Sequence, residues 1–230
     1  MLAHAALPRR RAVLLTVAAL VCALVATGVV AARASANLSP CERFAKASKA
    51  RAQQDTGSGE RVVVIGDSWS AGLGLDRPVQ SWPSRLPGRV HVAGFSGSGF
   101  SAKASPCGRV SFADRAPAAL RGGADLVVVE GGLNDFDRSR VEIKAGFERV
   151  LHAAAAYPVV VVGPASAPAR ADAVPRVDRL LRRLSARYGV GYVSTVDLDL
   201  SYLDDRLHLT PAGHRAFGDA VADRIAALVS

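Results

Sequence analysis

Five short runs rich in β-branched residues, separated by longer stretches of helical periodicity, dominate the sequence from Arg61 onward. The runs are Arg61–Ile65, Arg89–Ala93, Asp125–Val129, Val159–Gly163 and a weaker Gly191–Ser194. Helical patterns fall at about Phe112–Arg121, Val141–Ala156, Val174–Tyr188 and Pro211–Val229. Continuous apolar runs bounded by glycine suit strands buried on both faces. Strands joined through helices return in the same direction, so the expected fold is α/β, a mostly parallel sheet with helices on both sides. Functional groups in such sheets collect at the carboxyl ends of the strands.

What precedes Arg61 has a different character. Arg9, Arg10 and Arg11 lead into an uncharged run from Ala12 to Ala32, long enough to span a bilayer. Basic residues ahead of such a run favour a cytoplasmic N-terminus and export of everything after Arg33. Ala34-Ser35-Ala36 offers a cleavage site, so residues 1–36 read as a signal peptide or a transmembrane anchor, with both alternatives open. Residues 37–60 are polar and read as a tether that begins with a short helix around Cys41–Ala52, and 61–230 form the remaining domain. The expected location is the cell envelope or beyond it.

Charge narrows the partners. Of the net +9, four arginines in residues 1–36 supply +4, which leaves +5 on the rest. The chain has no lysine-rich tail and no aromatic-interleaved basic stripe, which argues against nucleic acid. Arg176, Arg179, Arg182, Arg183 and Arg187 fall at helical spacing and read as a solvated helix face. Cys22 lies inside the apolar run, and the two exported cysteines, Cys41 and Cys107, are candidates for one disulfide.

Three strand ends carry glycine: Gly66-Asp67-Ser68, then Gly94-Phe95-Ser96-Gly97-Ser98-Gly99, then Gly131-Gly132-Leu133-Asn134-Asp135. Near the C-terminus Asp204-Asp205-Arg206-Leu207-His208 precedes Thr210 and Pro211, a plausible N-cap and first helical residue. A serine hydroxyl needs a base to take its proton, and an imidazole does so when a carboxylate fixes its tautomer. Ser68, His208 and Asp205 are the residue types required. The Ser68 amide, an amide of the Gly97 loop and the Asn134 side chain could receive the oxyanion.

GDS after the first strand, a glycine loop after the second, GxND after the third and DxxH before the last helix together resemble the SGNH, or GDSL, hydrolase superfamily. The resemblance spans residues 61–214. It implies a three-layer α/β/α sandwich that cleaves carboxylic esters, in some members thioesters or acyl-sugar bonds, with no metal or other cofactor. It also implies roles: Ser68 as nucleophile, Gly97 and Asn134 beside Ser68 in the oxyanion hole, His208 as base and Asp205 as its partner. The implied substrate is a small-molecule, lipid or glycan acyl ester. Many members carry an asparagine shortly before the second-block glycine, where this chain has Ala93 and Gly94.

Plainer readings compete at single positions. Ser68 alone could be a helix cap, and His208 alone a loop histidine. Asp135 reads as a structural residue of its turn, Asp204 competes with Asp205, and Gly99 competes with Gly97. His214 with His208 lacks the HExxH spacing of a metal pair. No GxSxG elbow occurs, which sets aside the common α/β-hydrolase fold. An acyltransferase acting on envelope sugars or lipids, and a non-catalytic envelope-binding module, are the other function classes open to the same residues.

Overall fold

The computed structural model describes residues 13–22 and 38–229, which divide into two units, one up to Arg43 and one from Phe44. In the first unit residues 13–22 are helical (α1), with exposed side chains. Among the described residues no helix is long and apolar enough to cross a membrane. Most of the apolar run Ala12–Ala32, residues 12 and 23–32, lies outside them. The next helix, α2 (Pro40–Ala52), starts where Ser39 and Glu42 exchange hydrogen bonds as a capping box, at 2.7 and 3.3 Å. Cys41 and Cys107 are both disulfide-bonded, and Cys22 is free.

The second unit is built on five parallel strands, β1 (Arg61–Gly66), β2 (Arg89–Gly94), β3 (Leu126–Glu130), β4 (Val159–Val162) and β5 (Gly191–Val193). Their order is β2-β1-β3-β4-β5. The chain thus steps from β1 to β2 on one side and then crosses to β3 on the other. That reversal opens a crevice at the carboxyl ends of β1 and β3.

Period-two geometry splits each valine run between two cores. Val62, Val64, Val128, Val160 and Val162 face one core with Trp69, Trp82, Phe217, Val221 and Ile225, under the last helix α7 (Pro211–Val229). Val63, Ile65, Val127, Val129 and Val161 face the other. There they meet α4 (Phe112–Ala119), α5 (Arg140–Ala153) and α6 (Val174–Tyr188). The three layers and the strand positions agree with the sequence-based expectation. Helix α5 begins one residue earlier than its periodicity indicated, because Ser139 and Glu142 form a capping box, and it stops three residues earlier. The basic cluster does lie along α6, where Arg182 pairs with Asp178 at 3.2 Å.

A one-turn helix, α3 (Ser68–Ala71), follows β1 and packs against the end of β2. The approach is close enough that a Cβ on Gly94 would stand 2.5 Å from the Ala71 amide nitrogen. Backbone cannot yield there without displacing α3, so Gly94→Ala is expected to lower stability by about 1–3 kcal/mol. A urea unfolding midpoint measures this, and an unchanged midpoint would contradict the close packing.

Candidate active site

Strand β1 ends at Gly66, and Asp67 caps the short helix α3 by accepting a 2.9 Å hydrogen bond on Oδ1 from the Trp69 amide. Ser68 is the first residue of that helix, so its N–H has no partner within the helix. The sheet therefore presents a hydroxyl and a free amide together at the crevice.

An imidazole, that of His208, approaches from the loop before α7. An isolated antiparallel bridge between Tyr202 and Leu209 closes this loop, and the Leu203 amide donates to the His208 carbonyl at 2.7 Å. Inside it Asp205 Oδ1 accepts the amides of Leu207 and His208, both at 2.9 Å. Asp205 Oδ2 lies 2.5 Å from His208 Nδ1, and His208 Nε2 lies 3.1 Å from Ser68 Oγ. Partial burial works against the Asp205 charge, yet the hydrogen bonds from His208 and Leu207 outweigh it and lower its pKa to about 2. An ionised Asp205 fixes the proton on Nδ1, which leaves the Nε2 lone pair facing the serine. Asp204 and Asp205 are both exposed, and the carboxylate that meets the ring is that of Asp205.

Three features shape this loop, and one of them ties it to α3. Arg206 is the one non-glycine residue with positive φ among the described residues (+57°), which turns the chain between acid and base. The Trp69 indole N–H donates to the Leu207 carbonyl at 3.1 Å, so the neighbour of Ser68 grips the neighbour of His208. Thr210 caps α7 by accepting the Gly213 amide at 3.1 Å, as its position before Pro211 suggested.

The other wall comes from β2 and β3. Gly97 has φ +80° and nothing nearer its missing Cβ than Ser105 Oγ at 3.9 Å, so its backbone is bare on the open side. Gly99 has a different reason to be glycine: a Cβ there would stand 2.5 Å from Asp135 Oδ2. Asp135 accepts the amides of Phe100 and Ser101 at 2.9 and 2.8 Å, tying the β2 loop to the β3 turn. Burial pushes its pKa up to about 6, with the two amides opposing. Asn134 Nδ2 donates to the Ser98 carbonyl at 2.9 Å and to Asp67 Oδ2 at 3.2 Å. Ser68, Asp205, His208, Gly97 and Asn134 thus belong to loops that meet at one end of the sheet.

Three ionisable groups lie beneath these loops: Glu130 and Arg115, which the sequence did not single out, and His214, which it set aside as a metal ligand. Glu130, the last residue of β3, accepts from Ser70 Oγ at 2.6 Å, and the Trp82 indole donates to Ser70 Oγ at 3.1 Å. Burial raises the Glu130 pKa to about 7. Arg115 of α4 is half-buried and donates to the Gly66 carbonyl and Ser98 Oγ, each at 2.9 Å, and also to the Ala93 carbonyl. Burial lowers its pKa to about 10, so it remains a cation at neutral pH and staples the ends of β1 and β2. His214 accepts the Trp82 amide on Nδ1 at 3.3 Å, and burial takes its pKa down to about 4. A charge at the end of a valine run was the one available sign of Glu130; nothing marked Arg115. Among the described residues no group of His, Cys, Asp and Glu is arranged to hold a metal ion.

The sequence model of the GDSL-like lipase/acylhydrolase family matches residues 64–216. A carbohydrate acetylesterase, Est24 from Sinorhizobium meliloti, superposes with a TM-score of 0.60 at 23% identity, over 74% of this chain and 100% of its own. An aryl esterase from M. smegmatis gives a TM-score of 0.63 at 19% identity, over 74% of this chain and 100% of its own. A family two carbohydrate esterase from Clostridium thermocellum, solved with cellohexaose, gives 0.59 at 17% identity, over 76% of this chain and 66% of its own. At these identities the likeness is one of fold. No curated protein matches the sequence.

The raised Glu130 pKa has a measurable sign. Its stabilising contribution is fully present below the unfolded value of 4.5 and is lost as pH rises through about 7. Glu130→Gln does not titrate, so its stability relative to the parent is expected to improve between pH 4.5 and pH 8. Parallel urea unfolding curves at the two pH values measure this, and a constant difference would contradict burial of the charge.

Proposed function

The chain belongs to the GDSL-like lipase/acylhydrolase family, and from that premise we propose that it is an exported serine esterase working through an acyl-enzyme on Ser68. The observation that carries this reading is the unbroken line from Asp205 through both nitrogens of His208 to Ser68 Oγ, at 2.5 and 3.1 Å. His208 Nε2 takes the hydroxyl proton as Ser68 Oγ attacks the ester carbonyl, and Asp205 stabilises the imidazolium. The Ser68 and Gly97 amides and Asn134 Nδ2 receive the oxyanion. As the tetrahedral intermediate collapses, the alcohol leaves with the proton from His208. Water, deprotonated by the same imidazole, then attacks the acyl-enzyme, and the acid departs as Ser68 recovers its proton.

Short acyl esters of sugars or aryl alcohols are the proposed substrate class. Their support is the S. meliloti neighbour, a carbohydrate acetylesterase, and the M. smegmatis neighbour, an aryl esterase. The same proposal takes residues 1–36 as the export signal or anchor, 37–60 as the tether, and Cys41 with Cys107 as one disulfide formed after export.

Ser68→Ala is expected to lower kcat by about 10³-fold or more, and Asn134→Ala by about 10²–10³-fold, on an acetyl ester. Steady-state kinetics on 4-nitrophenyl acetate and an acetylated sugar check both, and parental turnover in Ser68→Ala would end the proposal.

A further inference from the structure

Asp67 is more than a helix cap. A cap requires one acceptor, which serine or asparagine supplies as well as aspartate. This carboxylate is completely buried and lies near Glu130, an arrangement that costs free energy unless hydrogen-bond donors compensate it. Both of its oxygens are engaged by donors: Oδ1 by the Trp69 amide at 2.9 Å and Oδ2 by Asn134 Nδ2 at 3.2 Å. The other neighbour of Nδ2 is the Ser98 carbonyl at 2.9 Å. Two acceptors on that side admit only the nitrogen of the Asn134 amide, so they decide which way the amide faces. Only a side chain with two acceptor oxygens satisfies the cap and Asn134 together.

The two contacts also engage both Asn134 amide hydrogens, so an oxyanion must share or take one of them. The contact with Asp67 is the longer, while the Ser98 carbonyl belongs to the loop that Arg115 clamps. We propose that Asp67 is a positioning residue of the oxyanion hole: it holds the Asn134 amide nitrogen toward the reacting carbonyl and yields that hydrogen as the oxyanion forms. The inference rests on the reading of Ser68 as nucleophile and Asn134 as oxyanion donor. Burial and the Glu130 carboxylate raise the pKa of Asp67, while the Trp69 amide and His208 lower it.

Asp67→Asn isolates the effect. It keeps an oxygen for the Trp69 amide but places an NH2 group against that of Asn134, which turns the Asn134 amide and points its oxygen at the oxyanion. The test is a double-mutant cycle of Asp67→Asn and Asn134→Ala with 4-nitrophenyl acetate as probe, Ser68→Ala as the zero, and thermal unfolding to establish folding. Asp67→Asn is expected to lower kcat by about 10- to 100-fold with KM little changed, and to alter kcat less than about two-fold when Asn134 is already alanine. An equal loss in both backgrounds, or no loss in either, overturns the proposal while leaving the nucleophile in place. Turnover that survives Ser68→Ala overturns the underlying reading and this proposal with it. Should Asp67→Asn not fold, Asp67→Ser, which retains a capping oxygen and lacks the second acceptor, enters the same cycle with the same two outcomes.

Discussion

One hydrogen bond, His208 Nε2 to Ser68 Oγ, joins residues 140 positions apart, and the organisation of the second unit makes it possible. A bond across that much chain cannot be set by local preference. The parallel sheet fixes where β1 ends, the cap on α3 fixes Ser68, and the closed loop before α7 fixes the imidazole. The Trp69 indole bond to Leu207 adds a second clasp beside the first, 138 residues apart. The partners of the second clasp are the chain neighbours of Ser68 and His208, so small shifts in packing under Trp69 are transmitted to the distance between hydroxyl and imidazole. The indole is buried against Phe217 of α7 at a ring separation of 5.1 Å, and the last helix thereby holds the site as well as closing the core.

The layer beneath the site is electrostatically unusual. Asp67, Glu130 and Asp135 are all buried and all have their pKa values raised by burial, and the half-buried Arg115 lies within electrostatic reach of the first two. Each carboxylate is paired with N–H or O–H donors: Asp67 with Trp69 of α3 and with Asn134, Glu130 with Ser70 of α3, Asp135 with the β2 loop. Such groups are poor sources of stability, since removing them from water costs about as much as their partners return. Their use here is to join the three glycine-bearing strand ends into one rigid rim, on which an oxyanion hole can be preorganised.

Much of this was legible in the sequence because it depends on period and order. Valine runs give strands whatever surrounds them, helices between them force parallel return, and Thr210-Pro211 marks a helix start from residue type alone. The tripeptide at 66–68 and the three-residue step from Asp205 to His208 are likewise local. The supporting layer was not legible. Arg115 sits in an alanine-rich helix and looks like any solvated arginine until the ends of β1 and β2 close around it. Glu130 looks like a strand terminus, and the roles of Gly97 and Gly99 separate only when Asp135 is seen to fill the space beside Gly99. In each case the missing information is a contact between distant segments, which composition and spacing do not encode.

The most direct test of the account is covalent labelling with a fluorophosphonate probe, with the modified peptide located by mass spectrometry and His208→Ala run beside the parent protein. An activated serine predicts one modification, at Ser68, that is lost when His208 is replaced. A folded protein that takes no label, or one labelled at Ser68 equally well without His208, would contradict the claim that the imidazole activates this hydroxyl.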